Sequence, residues 1–75
     1  MVNEIDLHGF RIHEIKGYLD SFLDQVPSII KEVHVIHGYQ NGSAIQSYVR
    51  NTYHHRRINR IMLSMNSGET IFVLN

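Results

Sequence analysis

Cysteine is absent from the sequence, which excludes a disulfide scaffold and any site built on thiolate, whether a zinc centre or a nucleophile, and fits a reducing cytosol. Long apolar runs are missing too. No stretch approaches the roughly 20 residues that a membrane helix needs, and "MVNEIDLHGF" has neither the basic segment nor the apolar run of a signal peptide. A soluble, cytoplasmic chain with no membrane partner is therefore expected. No Pro, Gly or Ser tract marks a linker, and 43% hydrophobic with 19% charged residues is the balance of a globular chain rather than a disordered one. The 75 residues suit one domain, 1–75, close to the lower size limit for independent folding.

The formal charge of zero conceals an asymmetry. Residues 1–32 carry Arg11, Lys16 and Lys31 against six carboxylates, a net −3, whereas residues 33–75 carry Arg50, Arg56, Arg57 and Arg60 against Glu69, a net +3, with four of the six histidines. A basic half attracts phosphate backbones through counterion release and steering, although an ordinary solvated surface gives the same count.

Along the chain, "EIDLH" alternates as a strand, with Ile5 and Leu7 on one face and Glu4, Asp6 and His8 on the other. From Ile12 the apolar spacing becomes helical through Ile15, Leu19, Phe22, Leu23 and Val26, and Pro27 ends it. "KEVHVIHG" is a second strand, so the first two strands form a βαβ unit and should be parallel. "SAIQSYVRNTYH" is a second helix, with Ser43 and Gln46 at capping-box spacing. "HHRRINR" reads as a polar connection, and "IMLSM" and "TIFVL" as strands of a closing antiparallel hairpin around "NSGE". Met62 and Met65 are assigned to the core.

One four-residue phrase occurs twice, as "LHGF" at 7–10 and "IHGY" at 36–39. Ligand sites of parallel α/β sheets lie beyond the carboxyl ends of the strands, and both phrases end strands there. His8 and His37 are thus expected at one sheet edge, each followed by a glycine that lets the backbone turn sharply. Asp6 and His8 share a strand face, so a carboxylate can orient an imidazole that titrates near neutrality, an acid/base pair. His37 has the parity of Val33 and Val35, which turns it toward the helix layer, so bracing of the loop stands beside catalysis as its role. "HGYQNGS" runs into a helix start whose amides and dipole favour an anion. There Gly38, Gly42 and Ser43 would hold a phosphate, and Tyr39 would stack on a base or pack over the loop. Arg50, Arg56, Arg57 and Arg60, with His54 and His55, are either a solvated connection or a phosphate track toward the His-Gly edge.

These phrases resemble the signatures of the Smr (small MutS-related) domain family, a D-L-H-G phrase ending the first strand and an H-G-x-G-type loop before the second helix. "IDLHGF" and "VIHGYQNGSAI" stand in those places, and the likeness extends over essentially the whole chain, including the hairpin "IMLSMNSGETIFVL". Gln40 stands where the stricter loop pattern has its second glycine, and Gln46 where relatives are often basic. The resemblance implies an α/β fold, a two-layer βαβαββ sandwich with a mixed four-stranded sheet, similar to the C-terminal domain of translation initiation factor 3. It also implies nucleic-acid binding or endonucleolytic cleavage of RNA or structured DNA, in some relatives on messages held by colliding ribosomes. Carried over, it puts Asp6 and His8 at catalytic positions and His37, Gly38 and Gly42 in a binding loop.

The reading that follows is an endonuclease, with RNA slightly favoured over DNA, in which His8 and His37 need no cofactor. A divalent metal is left open, because Asp6, His8 and His37 match a two-histidine, one-carboxylate set in residue type alone. The alternatives are a non-catalytic module that binds nucleic acid or a ribosome through Arg50 to Arg60, and a protein-interaction domain that uses the open sheet face or the edge of "TIFVL".

Overall fold

The structure, a computed structural model, describes residues 2–38 and 43–75. Its elements are β1 (Val2–Asp6), α1 (Ile12–Gln25), β2 (Glu32–Ile36), α2 (Ala44–Ser47), β3 (Ile58–Leu63) and β4 (Glu69–Leu74). The four strands form one mixed sheet in the order β1-β2-β4-β3. Because α1 returns the chain between them, β1 and β2 run parallel, from Val2 opposite Glu32 to Asp6 opposite Ile36. β4 is antiparallel to both β2 and β3.

Burial alternates along β2 and β4, which is the mark of a sheet covered on one face. Ile5, Leu7, Val33, Val35, Phe72 and Leu74 point into the covered face and meet Ile15, Leu19 and Leu23 of α1 and Val49 and Tyr53 beyond α2. Tyr53 stacks on Phe72 with ring centroids 6.1 Å apart. Thr70 and His37 are the polar residues buried on that face. The opposite face is uncovered and carries Glu4, Asp6, His34, Ile36, Ile71 and Val73 by strand parity.

α1 has no Ser, Thr, Asp or Asn at its start. Instead the Glu14 carboxylate reaches back to accept the Arg11 amide at 2.9 Å, closing the first turn with a negative charge near the positive end of the helix dipole. At the other end, Arg57 Nη1 donates to the carbonyls of Leu23 (3.0 Å) and Val26 (2.8 Å), acceptors that the helix itself leaves open.

Five expectations change. The capping box at Ser43 and Gln46 does not form. Ser43 makes no side-chain cap bond, and Gln46 donates instead to the Ser67 carbonyl at 2.7 Å, so its side chain ties α2 to the β3–β4 turn rather than to its own backbone. Only Ala44–Ser47 is α-helical; Tyr48–Thr52 continues as a π-helical turn closed by the Tyr53 amide on the Tyr48 carbonyl, 2.8 Å. β3 begins at Ile58, inside the segment read as a connection, with a bulge between Ile58 and Arg60 that leaves Asn59 without a partner on β4. Met62 is exposed and Met65 fully so, because Met62 pairs with Ile71 on the uncovered face and Met65 lies in the turn beyond β3. By the same topology "TIFVL" lies between β2 and β3 and offers no free edge; the outer strands are β1 and β3.

Candidate functional site

β1 ends at the D-L-H-G phrase. The buried Leu7 donates its amide to the Ile36 carbonyl at 2.7 Å, which ties the ends of β1 and β2 together. Its carbonyl accepts the Phe10 amide at 3.0 Å and closes a four-residue turn. The third position of that turn is Gly9, with φ of +86°, a left-handed conformation in which a side chain is strained. The Asp6 carboxylate accepts the His8 amide at 2.8 Å. Asp6 and His8 are both exposed. The two residues meet at one edge, but His8 lies in the turn beyond β1 rather than on the strand, and the contact differs from the expected one: Asp6 holds the main chain of His8, not its ring. Among the described residues the His8 imidazole has no hydrogen-bond partner.

His37 ends β2 at the same edge and faces the other way. Only 5% exposed, it bonds through both ring nitrogens: Nδ1 lies 2.9 Å from the Gly38 carbonyl and Nε2 lies 2.8 Å from Thr70 Oγ1. A carbonyl only accepts, so Nδ1 carries the proton and Nε2 receives the Thr70 hydroxyl hydrogen. Arg50 completes the chain, its Nε donating to Thr70 Oγ1 at 2.7 Å and its Nη2 to the Glu69 carbonyl at 3.0 Å. Burial, together with the Arg50 charge, lowers the His37 pKa from its ordinary value. The ring is therefore a neutral brace. The backbone is anchored too, since the His37 and Gly38 amides both donate to the Gly68 carbonyl, at 2.8 and 3.0 Å. Gly38 has φ of +70°, a left-handed conformation in which a side chain is strained.

The arginines do not form one track. Arg50 is at the His-Gly edge, engaged with Thr70 and Glu69. Arg56 and Arg57 precede β3, whose first residue pairs with Leu74 at the far end of β4, so they sit at the opposite end of the sheet. There Arg56 pairs with Asp24 at 3.0 Å beside His55, which is 2.9 Å from the same oxygen, and Arg57 caps α1. These partners hold the Asp24 carboxyl below its usual range, His55 foremost. Arg60 is exposed on β3 and has no ion-pair partner among the described residues.

On the open face His34 bridges two carboxylates, with Nε2 3.2 Å from Glu32 and Nδ1 3.2 Å from Glu69. Burial works to lower the His34 pKa, but the hydrogen bonds to Glu32 and Glu69 outweigh it and the net direction is upward. The Ser64 hydroxyl, and after it His34, hold Glu69 below the usual carboxylate range.

Among the described residues no three His, Asp or Glu side chains converge as a metal site, and His37 is buried under the helix layer whereas Asp6 and His8 are exposed. Ser43 is exposed, while Tyr39 and Gly42 lie outside the described residues. Sequence reasoning missed Thr70, the pivot between His37 and Arg50. Its signal was available: Thr70, Phe72 and Leu74 alternate, which makes a polar residue face the core. It also missed the pairing of Phe10 with Tyr18, whose ring centroids are 4.7 Å apart.

Residues 5–69 match the family model described as the Smr domain. Among solved structures, the chain is similar to the crystal structure of the Smr domain of Thermus thermophilus MutS2, with a TM-score of 0.78 at 19% identity, over 97% of this chain and 98% of that one. A comparison with curated proteins found no match. The two-layer arrangement and the mixed four-stranded sheet accord with that likeness, and the chain belongs to the Smr domain family, known for nucleic-acid binding and nuclease action.

Proposed function

We propose that this Smr domain is an endonuclease that cleaves a phosphodiester, with RNA favoured over DNA, and that His8 is its general base. The observation that carries the reading is the exposed D-L-H-G turn, in which Asp6 fixes the main chain of His8 at 2.8 Å and leaves its imidazole without a partner among the described residues. RNA is favoured because its own 2′-hydroxyl supplies the nucleophile, so one free imidazole suffices and no metal is required. His8 takes the 2′-hydroxyl proton as that oxygen attacks phosphorus. The bond from phosphorus to the 5′-oxygen breaks, and the leaving oxygen takes a proton from water. The products carry a 2′,3′-cyclic phosphate and a 5′-hydroxyl. A positioned base contributes about 10²- to 10⁴-fold.

His37 acts here as the brace of the loop, the role read beside catalysis, because both of its ring nitrogens are engaged. Gly38 and Ser43, the described ends of the 38–43 loop, flank the phosphate, and the Ser43 hydroxyl is free of any helix cap bond.

The second reading is a module that binds nucleic acid without cutting it, and an edge with one free imidazole among the described residues favours it. A ribosome-binding surface spanning Arg50 to Arg60 has little support, since Arg50, Arg56 and Arg57 are engaged within the fold. Labelled RNA and DNA incubated with wild type, with and without chelator, separate the two. The endonuclease cuts RNA in both conditions. A shift on a native gel with every substrate intact leaves only the binding module.

A further inference from the structure

We infer that the cleft between α1 and the outer edge of β1 is a base-binding subsite for the strand that His8 cuts, with Tyr18 as its stacking platform. The inference rests on the nucleic-acid reading above. The cleft, about 330 Å³, is lined by Asn3 of β1, by Tyr18, Ser21, Phe22 and Gln25 of α1, and by Val26 and Pro27 after it. Those four α1 positions make one helix stripe, aromatic at one end and polar at the other, and none of the lining residues carries a charge. A pocket of this size suits a ring the size of a nucleobase.

Two features tie the cleft to the turn. Phe10, two residues beyond His8, packs against Tyr18 with centroids 4.7 Å apart, so one aromatic surface runs from the D-L-H-G turn into the cleft. Tyr18 is 43% exposed even so, and a ring held by a neighbour loses little freedom when a base stacks on it. The carboxylates of α1 that would repel a phosphate are engaged: Asp20 with Lys16 and Tyr53, Asp24 with His55 and Arg56, and Glu14, one turn before Tyr18, with the Arg11 amide.

An added peptide strand is the other occupant that a groove between an edge strand and a helix suggests. The edge of β1 is poorly suited to it. Since the Leu7 amide points to β2, those of Glu4, Asp6 and His8 point outward. The Glu4 amide is already held by the Asn3 side chain at 3.0 Å and the His8 amide by Asp6 at 2.8 Å. A base needs no backbone ladder.

The probe is a single-stranded RNA carrying 2-aminopurine, whose fluorescence falls when the base stacks, titrated into wild type, His8→Ala, Tyr18→Phe, Tyr18→Leu and Tyr18→Ala. Wild type and Tyr18→Phe should bind within about twofold of one another and quench the probe, and His8→Ala, which keeps the platform, should quench it as well. Tyr18→Ala and Tyr18→Leu should bind about tenfold or more weakly, as expected for one lost stacking contact, and lose the quench. Tyr18→Leu keeps apolar bulk without a π face, and equal thermal midpoints for the Tyr18 variants exclude a folding effect. Tight binding with full quench by Tyr18→Ala and Tyr18→Leu overturns the subsite, whatever the cleavage result. Binding and quench by a wild type that never cuts would overturn the endonuclease and leave the subsite standing.

Discussion

The Asp6 carboxylate accepts the backbone amide of His8 at 2.8 Å and leaves the imidazole without a partner among the described residues. An aspartate that orients a turn and an aspartate that polarises a ring respond differently to substitution. Asparagine retains the accepting oxygen and removes the charge. Asp6→Asn should therefore keep RNA cleavage within about fivefold of wild type, whereas Asp6→Ala should lose about 10²-fold or more, the scale of a misplaced general base. Initial rates on one labelled RNA decide it, and equal losses in the two variants would point to the charge instead.

The chain Arg50–Thr70–His37 predicts an effect on stability. Thr70→Val keeps the shape of the side chain and removes the hydroxyl, leaving His37 Nε2 and Arg50 Nε without their partner in a buried site. An unsatisfied buried polar group costs about 1–3 kcal/mol, so urea unfolding should show a loss of that size. A change near zero would mean that water or another group replaces the hydroxyl.

His34 and His37 should give opposite pH slopes. The His34 pKa is raised by Glu32 and Glu69 despite burial, so its stabilising contribution is complete below the ordinary value of 6.5 and is lost as pH rises through the raised value. The His37 pKa is lowered by burial and Arg50, so its contribution is present above 6.5 and is lost as pH falls through the lowered value. Unfolding free energies between pH 5 and 8 should show His34→Gln abolishing the alkaline loss only. His37→Gln should abolish the acid loss, at reduced stability throughout. Identical profiles for His34→Gln and wild type would contradict the carboxylate clamp.

Arg57 closes α1 from a distance. Arg57→Ala should free the carbonyls of Leu23 and Val26 and increase hydrogen exchange at the C-terminal end of α1. Exchange unchanged there would show that solvent satisfies those carbonyls equally well.

The parts of the fold legible in the sequence are those governed by local pattern. The switch from period two at "EIDLH" to helical spacing after Ile12, and back at "KEVHV", is enough to predict parallel β1 and β2 and hence a shared edge for His8 and His37. What was not legible depends on partners distant in sequence. Gln46 has the spacing of a capping residue but bonds Ser67, 21 residues away. Arg56 and Arg57 have the composition of a phosphate track but meet Asp24 and the end of α1. The orientation of the candidate site follows from strand parity, which set His37 against the helix layer. The identity of its partners, Thr70 and Arg50, required the register of β2 on β4.

The decisive measurement is single-turnover cleavage by wild type and His8→Ala of one RNA and of the same RNA carrying a single 2′-deoxy residue at the cut position, with the product ends identified. The proposed chemistry predicts 2′,3′-cyclic phosphate and 5′-hydroxyl ends, no cut at the deoxy position, and a loss of about 10²- to 10⁴-fold in His8→Ala. Cleavage at full rate by His8→Ala, or a cut at the deoxy position that leaves a 5′-phosphate, would contradict it.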